Sequence, residues 1–489
     1  MSRSMAESLE SSLWAAMSIL RGHMEPDRYL RYLLGLVVLK LLSDEAEDAT
    51  RPGTAPFIVP SSARWHSLVA AQDGLGQRLE RACTVLEESN PALRGVFTSI
   101  DFTGAILGLT AQRDRLLWNL VESISQLPKL SGGIVSSGQL GAVGNFLLFR
   151  IAEATGRRSP AHVTPPSIID LLVELLDLQP GMRICDPACG AGSLLAACAH
   201  HVARNFSSRA IASSGTSTLH GQEKNLETWA LCRLNLLLHG LFDARIEPGD
   251  VLRAPRLVEA GQLLRYDRVV VDPPFNLDHW GAESAGEDPF HRFEPVPPKH
   301  LGNYAFVQHS LAALAEGGLA TILTPLGVLF RGGPEEQIRQ ALLCSDRLEA
   351  VIGLPSNLLY DTSIPAVVLM LRRGKPASRQ GKVLFVDASR LGATQGRQRV
   401  LLPQDIQTIA RAFHAFSADE GFSRVVPLEE IRRNEWNLNI TRYVGYESTP
   451  TRVDLDKQIE AIAEAEHQRE EAARRMDSML DAFRNSYLD

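Results

Sequence analysis

The stretch MRICDPACGAGS, from Met182 to Ser193, decides the fold of this chain. Its first four residues are typical of a buried strand, and a helical pattern begins at Ser193. Glycines between a strand and a helix let the backbone approach a ligand closely, and the amino end of that helix favours polar or negative ligand groups. A Gly-x-Gly turn alone is weak evidence, because structural tight turns share the pattern. The stretch predicts the first strand, turn and helix of an α/β sheet.

Strand and helix patterns continue to alternate after this stretch. Further strand patterns lie near Thr218 to Gln222, Arg245 to Glu247 and Arg268 to Val271. This alternation predicts a mostly parallel sheet with helices on both faces. The last strand patterns, Val367 to Leu371 and Val383 to Val386, have no helix pattern between them. One edge of the sheet is therefore expected to be antiparallel.

Helical patterns flank the predicted sheet on both sides. Apolar residues recur at three- and four-residue steps from Leu13 to Leu41 and again from Arg113 to Leu127. At the other end, Val453 to Leu488 is rich in Ala, Glu and Arg and has an apolar stripe on one helix face, which either packs on its own domain or pairs with a partner helix. The chain is divided into three predicted parts: a helical domain over 1–150, an α/β domain over 151–445 and a helical tail over 446–489.

The composition sets limits on the class of protein. Of 489 residues, 45% are hydrophobic and 22% charged, which is ordinary for a globular chain. The longest apolar stretch, Tyr32 to Leu42, is interrupted by Lys40 and is too short to cross a bilayer, and the amino terminus does not have the pattern of a signal peptide. The six cysteines lack paired metal-ligand spacing, so no disulfide framework or metal site is assigned. We expect a cytoplasmic protein that does not contact membranes.

The net charge of −7 bears on nucleic-acid binding. A protein that binds a nucleic-acid backbone over its whole surface is usually basic, because affinity comes from neutralised phosphates. If this chain acts on DNA, we expect a partner to supply much of the affinity.

Acidic residues end four consecutive strand patterns: Asp186, Glu223, Asp250 and Asp272. The carboxyl ends of parallel strands meet at one edge of a sheet, where α/β sheets bind ligands. Glu223 has the position at which a doubly wound sheet places an acid that accepts hydrogen bonds from two ribose hydroxyls. One acid at a strand end is uninformative, but four in register with a glycine-rich turn predict a ligand site.

The tetrapeptide Asp272-Pro273-Pro274-Phe275 follows the apolar run Val269 to Val271 directly. Two prolines end the strand abruptly, because proline cannot donate to a sheet ladder and restricts the residue before it. The rigid corner presents a carboxylate, a proline carbonyl and an aromatic face. Together they can hold an amine and stack on the ring that carries it. The alternative for Phe275 is a core aromatic under the loop.

These motifs resemble those of amino-group DNA methyltransferases. Asp186 to Ser193 resembles their S-adenosylmethionine loop, and Asp272 to Phe275 resembles their Asn/Asp/Ser-Pro-Pro-aromatic catalytic motif. Thr164-Pro165-Pro166 is similar to the methionine-binding element of the adenine-specific group. Further blocks resemble the modification subunit of type I restriction-modification systems: Leu13-Trp14, Leu20-Arg21-Gly22, Tyr29, Leu39 to Asp44, Asn303 to Phe306, Pro325 to Arg331, Val351 to Pro355 and Asn437 to Tyr443.

The resemblance implies a fold, a reaction and partners. The fold would be a Rossmann-like S-adenosylmethionine-dependent methyltransferase sheet with an N-terminal helical bundle and a C-terminal helical tail for subunit assembly. The reaction would transfer a methyl group from S-adenosylmethionine to the exocyclic amine of adenine in DNA. The implied partners are double-stranded DNA, a specificity subunit that carries target recognition and a restriction subunit, with two modification subunits per specificity subunit.

The resemblance also assigns roles to residues. Glu223 would bind the ribose hydroxyls and Asp250 the adenine amine of the cofactor, and the rest of the predicted site falls into two groups. The catalytic group is Asp272, Pro273, Pro274 and Phe275, and the remaining cofactor-binding group is Thr164, Pro165, Asp186, Pro187, Ala188, Gly190 and Gly192. Tyr304 and Phe306 either border the base pocket or pack in the core, and His279 and His309 are interpreted as surface or core histidines.

The sequence departs from the family pattern in three places. Asp272 stands where the family usually has Asn, His162-Val163 stand where an aromatic pair is usual, and the insert Ser207 to Ser217 is expected to be an exposed loop. Three alternatives remain: methylation of a cytosine amine, methylation of a protein glutamine amide, and a cofactor-binding scaffold without catalysis.

Overall fold

The computed structural model describes most of the chain. The described residues are 2–21, 23–24, 26–48, 56–104, 110–131, 135–155, 163–214, 218–360, 362–396, 398–445 and 455–485. His162 and the end of the Ser-rich insert, residues 215–217, therefore lie outside them. The structure separates into two compact units, Met1–Val444 and Gly445–Asp489. The predicted boundaries at 150 and 445 stay predictions.

The N-terminal part is helical, as predicted. Its helices are α1 (Ser2–Leu20), α2 (Pro26–Asp48), α3 (Trp65–Leu68), α4 (Leu75–Ser89), α5 (Thr110–Ser125) and α6 (Ser137–Thr155). Their apolar residues, such as Met17, Leu33 and Leu120, are fully buried in one hydrophobic core. This core supplies the covering that an isolated amphipathic helix lacks.

Further helices belong to the α/β part and the tail. They are α7 (Pro166–Glu174), α8 (Ser193–Asn205), α9 (Ser208–Ser214), α10 (Leu226–Leu238), α11 (Asn303–Ala313), α12 (Pro334–Cys344), α13 (Pro403–Ala415), α14 (Leu428–Arg433) and α15 (Leu455–Asn485). Leu231, Leu234 and Leu237 of α10 lie in the same core as the N-terminal helices. An ion pair of 2.9 Å joins Arg31 of α2 to Glu227 of α10. The N-terminal helices therefore cover one face of the sheet through α10.

The strands are β1 (Arg183–Asp186), β2 (Thr218–Glu223), β3 (Arg245–Pro248), β4 (Val258–Glu259), β5 (Gln262–Leu263), β6 (Tyr266–Val271), β7 (Leu314–Pro325), β8 (Leu348–Gly353), β9 (Ala366–Arg372), β10 (Lys382–Asp387), β11 (Ala393–Gln395), β12 (Gln398–Val400) and β13 (Ser423–Pro427). Among the described residues, nine of them form one sheet in the order β13-β10-β8-β9-β7-β6-β1-β2-β3. The strands β6, β1, β2 and β3 are neighbours and parallel, which confirms the predicted α/β class.

The prediction of one antiparallel edge was incomplete. Strand β9 is antiparallel but lies inside the sheet, between β7 and β8. Strand β10 is parallel to β8, and the antiparallel edge strand is β13, which the sequence analysis missed. Two strands that are joined without a crossover helix usually run in opposite directions. The chain therefore reverses from β8 to β9 and again from β9 to β10, so β10 runs parallel to β8.

The insert Ser207 to Ser217 was expected to be an exposed loop; residues 207–209 are exposed, but the loop prediction was wrong for the described residues. They contain the helix α9. The hydroxyl of Ser207 accepts a hydrogen bond from the backbone N–H of Ala210 at 3.2 Å, which is the contact of a helix N-cap. The insert therefore begins with an N-capped helix, which its high serine content did not indicate.

The strand order creates a crevice at the carboxyl edge of the sheet. After β1 the chain passes to β2 on one side, whereas β6 pairs with β1 on the other side. Such a switch in strand order leaves an opening where α/β sheets bind ligands. Asp186 at the end of β1 and Asp272 directly after β6 flank this opening. In the part of the chain that is described, no helix is long and apolar enough to span a membrane.

Candidate active site

A cavity of about 430 Å³ opens at this carboxyl edge. Its volume lies within the usual range of small-molecule pockets, about 300–1,000 Å³. Seven of the residues predicted from the sequence line it: Pro187, Ala188, Gly190, Glu223, Asp250, Asp272 and Pro274. The structure therefore brings the glycine-rich turn, three of the four strand-end acids and Pro274 of the proline corner to one cavity, whereas Pro273 and Phe275 do not line it.

Loop 186–193 has the backbone that its glycines predict. Gly190 and Gly192 have positive φ values of 51° and 81°. A Cβ atom on Gly192 would lie 2.8 Å from the Cys232 sulfur, so a larger residue does not fit. Gly192 thus fixes the packing of the loop on α10, while Gly190 lines the cavity.

Asp186 lies beneath the cavity lining and is almost completely buried. Its Oδ1 atom accepts a hydrogen bond from the Ala188 N–H at 3.1 Å, and its Oδ2 atom has no hydrogen-bond partner among the described residues. Burial raises the pKa of this carboxyl well above its usual range, and the nearby charges of Asp272 and Glu223 raise it further. The position is suited to a ligand that brings a positive or hydrogen-bond-donating group.

Glu223 and Asp250 line the cavity. Glu223 accepts hydrogen bonds from the backbone N–H of Gly190 at 3.1 Å and of Asn225 at 2.7 Å. Asp250 accepts one from the Leu252 N–H at 3.0 Å and lies 2.9 Å from the Lys224 ammonium. Backbone amides therefore hold both carboxylates in place.

Gln222 is a site residue that the sequence analysis missed. It is fully buried, and its amide donates to the carbonyl oxygens of Gly249 and Ala254, each at 3.0 Å. It also accepts from the Arg256 N–H at 2.9 Å. These bonds fix the turn that carries Asp250. The only sequence signal that Gln222 supports the Asp250 turn was its place next to Glu223 in a predicted strand.

The proline corner is tied to a distant residue. The Thr164 hydroxyl donates to the Asp272 Oδ2 atom at 2.7 Å. Thr164 and Pro165 are buried and do not line the cavity, so Thr164 contacts the predicted catalytic acid rather than the cavity itself. Pro273 is also buried, and Phe275 is half-buried against the hydrophobic core of one sheet face.

A pair of asparagines fixes the chain after this corner. Asn276 has a positive φ of 52°, a conformation that Asn tolerates better than most residues. Its N–H donates to the Asn303 Oδ1 atom at 2.8 Å, and the Asn303 amide donates back to the Asn276 Oδ1 atom at 3.1 Å. Asn303 is buried at the start of α11. No pattern along the sequence indicated this pair, which joins positions 27 residues apart.

The structure distinguishes between the alternatives given for the remaining aromatic and histidine residues. Tyr304 is buried and its hydroxyl donates to the Val328 carbonyl at 2.8 Å, so it is a core residue. Phe306 lines the cavity. His309 is buried beside Arg292, and burial lowers its pKa to about 3. His279 is exposed.

Comparison with known proteins gives the family. Residues 136–451 match the family model described as N-6 DNA methylase, and residues 9–124 match the HsdM N-terminal domain. The chain belongs to the N-6 DNA methylase family. It is a modification subunit of the type I restriction-modification kind and an adenine-specific DNA methyltransferase with S-adenosylmethionine as its cofactor. None of the comparisons favours the cytosine, protein-amide or non-catalytic alternatives.

Relatives with known names agree with this assignment. The MjaVII type I restriction enzyme methylase subunit of Methanocaldococcus jannaschii is 30% identical over 83% of this chain and 70% of its own. The HindI methylase subunit of Haemophilus influenzae is 30% identical over 79% of this chain and 90% of its own. The crystal structure of a type I methyltransferase subunit from Streptococcus thermophilus is 26% identical, covers 90% of this chain and 99% of that one, and has a TM-score of 0.77.

Proposed function

We propose that the carboxyl-edge cavity is the active site, with S-adenosylmethionine on its Glu223 side and the target adenine against loop 272–275. The observation that carries the proposal is the convergence of Glu223, Asp250 and Asp272 on one cavity of about 430 Å³. The unpartnered Asp186 oxygen supports the fit, because a buried acceptor needs a donor such as the ammonium group of the cofactor.

The acids of the cofactor side would bind different parts of the cofactor. Glu223 would accept hydrogen bonds from the ribose hydroxyls, and Asp250 would accept one from the adenine amine. Gly190 places the backbone at the cavity wall, so that the methionine part can approach it. When bound, the cofactor supplies an electrophilic methyl group.

Loop 272–275 would hold the target amine. The exocyclic nitrogen of adenine is a poor nucleophile because its lone pair is delocalised into the ring. Asp272 would accept one N–H and the Pro273 carbonyl the other, which draws the nitrogen toward tetrahedral geometry and directs its lone pair into the cavity. Asp272 or a water would take the proton once the nitrogen has reacted.

Thr164 and Phe275 would support this step. The hydrogen bond from Thr164 orients the Asp272 carboxylate. Phe275 would stack on the base, which must leave the duplex because a paired amine cannot reach a buried pocket. Phe275 packs against the core, so stacking uses the exposed part of its ring.

The proposal also includes the partners of this chain. The relatives are named as methylase subunits of type I restriction enzymes, which supports double-stranded DNA, a specificity subunit and a restriction subunit as partners. We infer that target recognition lies on the specificity subunit, that two modification subunits bind each one, and that the tail helix α15 serves this assembly.

Nucleoside analysis tests the proposed function. The chain, assembled with the specificity subunit encoded beside it, is incubated with S-adenosylmethionine and amplified genomic DNA that carries no methylation. We expect N6-methyladenine and no methylated cytosine. Methylated cytosine, or no product despite cofactor binding, would overturn the proposal.

A further inference from the structure

A second cluster of polar side chains lies on the segment that follows loop 272–275. Asp278, His279 and His300 each offer one ligand atom, and these atoms all lie within 4.8 Å of one another. Within the described residues, this is the one group of three or more His, Cys, Asp or Glu side chains with such spacing. The proposed methyl transfer does not use it.

We propose that Asp278, His279 and His300 form a binding site for a transition-metal dication such as Zn²⁺, which fixes the segment after loop 272–275. Two imidazoles and one carboxylate are ligands that Zn²⁺ accepts, and three protein ligands leave a further position for water. Because two of the three ligands are nitrogen atoms, the site suits Zn²⁺ better than Mg²⁺ or Ca²⁺, which prefer oxygen ligands.

The separations of the ligand atoms are close to those of a metal site. Asp278 Oδ1 lies 2.6 Å from His300 Nδ1, and Asp278 Oδ2 lies 3.6 Å from His279 Nε2. Zinc bonds of about 2.0–2.1 Å in a tetrahedron place neighbouring ligand atoms roughly 3.3 Å apart. All three ligand atoms lie within 4.8 Å of one another, and the two contacts use different oxygens of Asp278, so side-chain rotation must bring one carboxylate oxygen and both imidazoles to a single ion.

The backbone holds the two ligand-bearing segments together without a metal. The Gly302 N–H donates to the Leu277 carbonyl at 2.9 Å, and the Trp280 indole donates to the Pro298 carbonyl at 2.9 Å. Arg253 donates to the carbonyl of His279 at 2.7 Å. Because these bonds set the spacing of the two segments in advance, a bound ion needs only the three exposed side chains to reorient.

The site is also open to an incoming ion. The side chains of His279, His300 and Asp278 are 68%, 67% and 53% exposed, respectively. A bound ion would join residues 278–279 to residue 300 and so stiffen the segment between loop 272–275 and α11. This consequence concerns the mobility of the segment and does not depend on the proposed roles of the catalytic residues.

Calorimetric titration of the metal-free, untagged full-length chain with Zn²⁺ tests the proposal. We expect one ion per chain with micromolar affinity, at least about tenfold weaker in His300→Ala and in Asp278→Asn, because losing a ligand should cost no less than losing an outer-shell partner. His291→Ala removes an exposed histidine outside the cluster and should bind as the wild type does.

A second readout reports the location of the ion. Co²⁺ in place of Zn²⁺ should give visible absorption that His300→Ala loses, and Zn²⁺ should slow hydrogen exchange in residues 276–303. Binding only at millimolar Zn²⁺, equal affinity in His300→Ala and the wild type, or unchanged exchange in residues 276–303 would each overturn the proposal.

Discussion

The two proposed sides of the cavity, one for the cofactor and one for the target amine, are built differently. On the cofactor side, Glu223 and Asp250 each accept a hydrogen bond from a backbone N–H two residues further along the chain. On the amine side, Asp272 is held by Thr164, which lies 108 residues away. Local turns therefore hold the carboxylates of Glu223 and Asp250, with added support from Gly190 and Gln222, whereas the bond to Asp272 comes from a distant element. We expect the two sides to fail separately when mutated.

The largest expected effect is on the amine side. Asp272→Ala removes the proposed acceptor of the adenine N–H and should lower the single-turnover rate of methyl transfer at least about 100-fold, as loss of one aligned polar group at a reacting centre does. Cofactor affinity, measured by calorimetry, should stay within about threefold, which is roughly the 0.5 kcal/mol typical of a change outside the binding contacts.

Asp272→Asn is the matched control for this variant. An amide oxygen still accepts an N–H, so the rate should remain much closer to that of the wild type than the rate of Asp272→Ala does. Equal inactivity of the Asn and Ala variants would contradict this mechanism. It would mean that the carboxylate must remove the proton before the nitrogen attacks the methyl group.

The next largest effect is on the cofactor side. Glu223→Ala removes two proposed hydrogen bonds to a charged acceptor, each worth about 1.5–3 kcal/mol, and should weaken cofactor binding by at least about 100-fold. Asp243→Ala removes an exposed acid outside the cavity and should leave the Kd unchanged. Unchanged cofactor affinity in Glu223→Ala would place the ribose elsewhere.

A pH titration of cofactor binding distinguishes Asp186 from these acids. The pKa of its carboxyl is raised by burial, so it binds a proton at pH values where an exposed carboxyl, with a pKa of about 3.9, is ionised. The protonated form attracts a cationic amine less, so affinity should fall as the pH is lowered through that raised pKa. Asp186→Asn should bind at least about tenfold more weakly, with a flatter profile.

An equally steep profile in Asp186→Asn would assign the pH dependence to another group. The profile is best measured by calorimetry with cofactor alone, because the chemical step adds its own pH dependence.

The smallest expected effect tests the link between distant elements. Thr164→Val keeps the shape of the side chain but removes the hydroxyl that donates to Asp272. The transfer rate should fall about two- to tenfold, because the hydroxyl acts on the reaction only by orienting Asp272, with little change in cofactor affinity. Thr164→Ser should retain the wild-type rate. A higher Kd for the cofactor at an unchanged transfer rate would instead assign Thr164 to cofactor binding, as the sequence motif predicts.

The sequence predicted for a physical reason that Gly190, Glu223 and Asp250 lie at one edge of the sheet, where they line one cavity. The turn at Gly190 comes after β1, Glu223 ends β2 and Asp250 comes shortly after β3, so strand patterns alone place them at one edge. The same logic placed Asp272 after β6. The α/β class and the N-terminal helices followed from periodicity in the same way.

Contacts between distant elements could not be predicted in this way. The bond from Thr164 to Asp272, the pair Asn276 and Asn303, and the buried Gln222 depend on how α7, α11 and β2 pack. The interior position of β9 likewise depends on pairing between strands, which a pattern along one strand does not encode.

Single-turnover methyl transfer as a function of cofactor concentration tests the central claim most directly. Glu223→Ala and Asp272→Ala are measured side by side in the assembled complex with unmethylated DNA. We predict that saturating cofactor brings Glu223→Ala close to the wild-type rate and leaves Asp272→Ala at its low rate. Recovery of both variants, or of neither, would contradict a cavity with separable cofactor and amine sides.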